Sequence, residues 1–157
     1  MGHRSPCRKL RGQSALEFAL ILPVILLLVL GIVAFGVMFS HKLTMDNAAR
    51  DACRVGATGA TDQTIANTVR DRMKLLNNTA GPMTVASSSS TAVTYRNASG
   101  HLNVIISPKQ GTAQRAVGNS LTVTVRYSDY IPVPIVGVFT NPRRMLSQCT
   151  MRIESVP

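Results

Sequence analysis

Glu17, three cysteines and three histidines are the side chains of this sequence with the most chemistry on offer, and their spacing decides what each can do. Glu17 stands directly before a run from Phe18 to Phe39, 22 residues without a charge, an amide or a hydroxyl. A carboxylate carried to the middle of a bilayer costs about 3 kcal/mol even on lenient insertion scales, so Glu17 must stay at the boundary or meet a cation. His3, His41 and His101 are dispersed, and no HExxH, CxxC, GxSxG or Walker pattern occurs. Metal-assisted hydrolysis, dithiol redox work, nucleophile-elbow acylation and nucleotide chemistry therefore lack their signatures. Asp62, Asp71 and Asp129 show no paired spacing for acid–base work. These residues point to no enzyme, no metal and no cofactor; they point to one charge in need of a partner.

The uncharged run sets the element that carries this charge. About 20 apolar helical residues cross the hydrocarbon core of a bilayer, so residues 13–39 are expected to form a transmembrane helix in contact with membrane lipid. A secretory signal has a shorter apolar stretch followed by a small-x-small cleavage site, and no such site follows this one directly. Arg4, Arg8, Lys9 and Arg11 precede the run with no acid among them, which marks residues 1–12 as a cytoplasmic leader and residues 40–157 as an extracytoplasmic domain. Within this frame Ser14 and Glu17 fit the capping-box pattern, a purely local reading of the carboxylate.

The formal charge of +10 invites a nucleic-acid reading, yet 4 of the 17 basic residues belong to the leader and the others are scattered. Arg143 and Arg144 form the only later basic pair, without the interleaved aromatics on which single-strand binders stack bases, so nucleic acid is not an expected partner.

The capping reading leaves unexplained why Gly12 closes the basic leader five residues before Glu17 and why the aromatic Phe18 follows it. A short basic leader, a Gly, four residues, Glu, an aromatic and a long apolar helix together resemble the processing site of type IV pilins. Within that group, "RGQSALEFALILPVILLLVLG" with the continuation "MDNAARDACRVGA" resembles the TadE-like pseudopilins of the tight-adherence (Tad/Flp) pilus machinery, over roughly residues 11–57. The resemblance implies that a prepilin peptidase cuts after Gly12, leaving Gln13 as the new N-terminus and Glu17 fifth in the mature chain. Glu17 would then pair with the N-terminal amine of a neighbouring subunit's Gln13 as helices stack, which offsets the desolvation of the carboxylate. Gln13 departs from the Phe usual at this position in better-known type IV pilins, and the chain is much longer than the small major Flp pilins, which favours a minor subunit.

Beyond the run no proline interrupts "HKLTMDNAARDACRVGA", so the helix is expected to continue to about "GATGAT", carrying Ala48, Ala49, Ala52, Cys53 and Gly56 as a small-residue stripe that wants a close partner. Asp46, Arg50 and Arg54 at i, i+4 and i+8 suggest a solvated face with an Asp46–Arg50 pair. A second helix reads from about Thr61 to Asn77 with Asp62 as its cap. Five stretches, "MTVAS", "AVTYR", "HLNVIIS", "LTVTVRYS" and "RMLSQCTMRIE", read as strands. In the fourth, Leu121, Val123, Val125 and Tyr127 alternate with Thr122, Thr124, Arg126 and Ser128, as a sheet covered on one face requires. "YIPVPIVGVF" carries too many prolines for a central strand and reads as an apolar connector.

Cys7 lies in the leader, whereas Cys53 and Cys149 both fall outside, where oxidising conditions permit a bridge. Their pairing would tie the long helix to the last strand and add about 2 to 4 kcal/mol, the alternative being two buried free thiols. The sequence thus predicts an α+β, pilin-like chain: a long N-terminal transmembrane helix, a shorter helix, and a mainly antiparallel sheet packed on them. Its expected function is that of a minor pilin or pseudopilin, with a prepilin peptidase, other pilin and pseudopilin subunits and the pilus assembly machinery as partners. The alternative is an uncleaved, membrane-anchored extracytoplasmic binding module, an adhesin or a DNA-uptake component.

Overall fold

A helix of 45 residues, α1 (Gln13–Ala57), dominates the computed structural model, which describes residues 13–76, 78–129 and 143–155. The leader, Gly12 included, Asn77 and the connector "YIPVPIVGVF" lie outside the described residues. The helix runs unbroken through Pro23, and its most apolar 18-residue window is only 6% buried in the molecule. A soluble core helix would hide such a face; this one is long and apolar enough to cross a bilayer.

Its end has a defined chemistry. The Ala60 N–H bonds the Val55 carbonyl at 3.3 Å and the Gly59 N–H bonds that of Gly56 at 3.3 Å, the paired bonds of a Schellman motif. Gly59 takes φ 92°, a left-handed turn that costs a glycine nothing. The chain then enters α2 (Asp62–Arg72), shorter than the periodicity of Ile65, Val69, Met73 and Leu76 suggested, because residues 73–76 continue as turns. The cap is Thr61, not Asp62: the Thr61 hydroxyl accepts the Thr64 N–H, and Asp62 is the first helical residue. Asp62 is thereby released for a contact described below.

Five strands follow as a meander, β1 (Met83–Ser88), β2 (Val93–Asn97), β3 (Leu102–Ser107), β4 (Ser120–Asp129) and β5 (Arg143–Arg152), antiparallel throughout and paired in chain order. The α+β architecture with a long apolar helix, a shorter helix and an antiparallel sheet is therefore the observed one. Strand β4 alternates as its sequence requires: Leu121, Val123, Val125 and Tyr127 are buried, while Arg126 is exposed.

Both helices cover one face of the sheet. The small-residue stripe finds its partner there, since Ala48, Ala49, Ala52 and Cys53 are buried with Ile65 and Val69 of α2 and the inward side chains of β4. A Cβ added at Gly56 would overlap the Leu121 side chain and stand 2.8 Å from Ile65 Cδ1, so only glycine lets α1 come this close.

Candidate functional site

At the foot of α1, Gln13 and Glu17 sit one turn apart on the same side of the helix. Ser14 is already helical, so it does not cap the helix, and the capping-box account of Glu17 fails for lack of an extended Ser14 backbone. Glu17 and Phe18 are exposed, Phe18 by 63%. Glu17 makes no ion pair or side-chain hydrogen bond among the described residues. Along the axis it lies about 37 Å below Lys42, so the folded domain offers it nothing. The structure thus brings Gln13, Glu17 and Phe18 together on one apolar stem and leaves the carboxylate unmatched.

Higher on the same helix the other predicted pair meets. Cys53 of α1 and Cys149 of β5, 96 residues apart, face each other across the helix–sheet seam as free thiols, and the Cys53 thiol donates to the Cys149 carbonyl at 3.0 Å. Burial, aided by the neighbouring Cys149, pushes the Cys53 thiol up to about 12, so it stays protonated at neutral pH. The expected bridge is absent in this structure, although helix and strand place both residues where that reading put them.

Asp46 departs from expectation. It accepts from Lys42 Nζ at 2.9 Å and from the Ser147 hydroxyl at 2.5 Å, rather than from Arg50. Burial raises its pKa, but Ser147 and Lys42 together outweigh that and hold the carboxyl below its usual range. Lys42 Nζ also donates to the Leu146 carbonyl at 2.6 Å, so one cation pins α1 to β5 just above the apolar run.

These features lie on a helix whose sequence has counterparts. Residues 12–54 match the model of the TadE-like protein family. This stretch is TadE-like. The match runs from Gly12 through Glu17, Phe18 and Cys53 and stops three residues short of the end of α1, so α2 and the sheet lie beyond it. No curated protein and no solved structure matches the chain.

Outside the TadE-like segment the sequence reading missed one polar centre. Arg115, in the loop between β3 and β4, is 2% exposed at its side chain and pairs with Asp62 at 3.0 Å, itself 6% exposed. The same guanidinium donates to the Pro108 carbonyl at 2.9 Å and to that of Ala60 at 3.3 Å, while Asp62 accepts the Gln110 N–H at 2.8 Å. An arginine in a polar loop carries no local signal that its partner lies 53 residues upstream. The cluster clamps the loop to the start of α2. Among the described residues no three His, Cys, Asp or Glu side chains gather as a metal site would require.

Proposed function

We propose that the chain is a minor subunit of a Tad-type pilus, anchored by α1 with its N-terminus in the cytoplasm and its sheet domain outside. In this reading it is an assembly component rather than an enzyme. A prepilin peptidase removes residues 1–12, and the new amine of Gln13 on one subunit meets Glu17 of the next as their helices stack in the membrane. The observation that carries the proposal is Glu17, exposed and unmatched one turn above Gln13 at the foot of a bare apolar helix of TadE-like sequence. An isolated carboxylate at a bilayer boundary favours any arrangement that delivers a cation, and cleavage after Gly12 creates one at the right height.

N-terminal sequencing of the protein from cell membranes tests this. A mature chain beginning at Gln13, and one beginning at Met1 when the prepilin peptidase is deleted, is the expected result; an intact start in both strains overturns it. The Cys53–Cys149 bridge belongs to the same proposal, formed outside the cytoplasm by exchange with an oxidised dithiol carrier that takes up the two hydrogens.

A further inference from the structure

The outer face of the sheet, turned away from both helices, carries Arg126 and Arg144 near one end and Arg152 at the other. Strand β5 climbs in the same direction as α1: Lys42 meets Leu146, Asp46 meets Ser147, Cys53 meets Cys149, and the Ala57 carbonyl accepts the Glu154 and Ser155 N–H groups. The start of β5 is therefore the end nearest the apolar stem. Arg144 lies two residues before Leu146, about 6 Å lower along an extended strand. The last apolar residue of the stem, Phe39, lies three residues before Lys42, about 4.5 Å lower along the helix. Strand and helix thus bring Arg144 to the level at which the hydrocarbon run ends.

A cleft of about 500 Å³ opens at this level, lined by Asn103, Arg126, Ser128, Arg144 and Leu146 together with parts of their neighbours. Register places Arg126 opposite both Asn103 and Leu146, and Ser128 opposite Arg144. Arg126 and Arg144 are exposed and have no acidic partner among the described residues. Asn103 accepts from Arg96 Nε at 2.9 Å through its carbonyl oxygen, which leaves its NH2 group as a further donor. Leu146, 50% exposed beside the two guanidinium groups, supplies an apolar lip. No acid alternates with these residues on the outward positions of β4 or β5.

We propose that this cleft seats the phosphate-bearing headgroups of acidic phospholipids in the bilayer that α1 crosses. The chemistry is complementary: two guanidinium groups hold phosphate oxygens in bidentate fashion, neutral donors complete the shell, and Leu146 faces the acyl boundary. A second copy of the chain is a poor occupant, because it would bring the same positive face to the contact. The consequence is an orienting one, since headgroup binding fixes the rotation of the domain about its stem. The proposal rests on the reading of α1 as a membrane anchor and is independent of cleavage after Gly12.

The test titrates the full-length chain in nonionic detergent micelles with phosphatidylglycerol, phosphatidylcholine, inorganic phosphate and a single-stranded oligonucleotide, reading bound ligand by native mass spectrometry. Phosphatidylglycerol is expected to bind in preference to phosphatidylcholine. The double substitution Arg126→Gln, Arg144→Gln weakens that binding roughly 30-fold, as two juxtamembrane cations should. Arg54→Gln with Arg152→Gln removes the same charge from the far end of the domain and changes it less than threefold. Replacing Arg126 and Arg144 by Lys restores part of the binding lost in the Gln variant, the charge without the bidentate fork, and shows that the loss is not one of fold. Equal binding of both lipids, equal loss in both double variants, or tighter capture of inorganic phosphate or oligonucleotide by the same two arginines overturns the proposal. Failure of the anchor reading has a different signature: the unsubstituted chain would stay soluble and monodisperse with no detergent at all.

Discussion

The lower and upper halves of α1 are one uninterrupted helix built for two different surroundings. Below Phe39 the side chains are large and point outward on every side, with Leu20 79%, Leu27 61% and Phe35 69% exposed. Beyond the buried Met45, the side chains that face the core shrink to Ala48, Ala49, Ala52, Cys53 and Gly56, all buried. Size here follows what must approach. In the proposed membrane anchor, lipid chains adapt to any apolar relief, so the lower half needs only to be oily. A sheet is rigid and must be met by a surface shaved flat, so the upper half gives up bulk to gain contact. One carboxylate in each half makes the contrast plain. Glu17 has no partner among the described residues, whereas Asp46 has two.

Substitutions can set these halves against each other. The largest effect is expected at the clamp beside the upper half: Arg115→Ala leaves Asp62 buried and unpaired and should destabilise the domain by about 3 to 5 kcal/mol, read by chemical denaturation in detergent. Leu27→Ala in the lower half should leave the same denaturation midpoint unchanged. Next comes Gly56→Ala, which drives a methyl group into Leu121 and Ile65 and should cost about 1 to 3 kcal/mol. If it is neutral, the close approach of helix and sheet is not what holds the upper half.

Smaller effects come from pH. In the reduced protein Cys53 is raised from 9.0 to about 12 by burial, so the unfolded chain releases this proton first. Its contribution is intact below pH 9 and is lost as pH climbs from about 9 towards 12, which a Cys53→Ala variant should lessen. Asp46 works in the opposite direction. Its lowered pKa adds stability above the ordinary carboxylate range that fades as pH falls below it, and Ser147→Ala should shrink that acid-side loss. Glu17→Gln should move domain stability least of all, while sharply reducing incorporation into pili measured by co-purification with the other subunits. Normal incorporation would count against the Glu17–Gln13 pairing.

Local pattern carried much of this molecule. The alternation in β4, the termination at Gly59 and the small stripe on α1 were readable because each rests on a period or a backbone preference confined to a few neighbouring residues. The meeting of Cys53 with Cys149 also followed, since one sits on the packed face of a helix and the other on a strand beneath it. What escaped is the choice of partner at a distance. Asp46 looked to Arg50 on its own helix and found Ser147, and Asp62 looked like a cap and became half of a buried pair with Arg115. Such choices depend on how loops fold back, which no local period records. For the foot of the helix the reverse holds. The proposed role of Glu17 rests on the sequence pattern alone, and among the described residues nothing competes for its carboxylate.

The two bonds from Glu154 and Ser155 to the Ala57 carbonyl also dictate a timetable. The stem is synthesised early and α2 follows at once to cover part of its shaved face, yet β5, which packs on the remainder, is made nearly a hundred residues later. Until β5 arrives, the side of α1 that meets Cys149 stands uncovered. A nascent chain therefore has a vulnerable interval, during which a chaperone or a neighbouring stem can claim that side first.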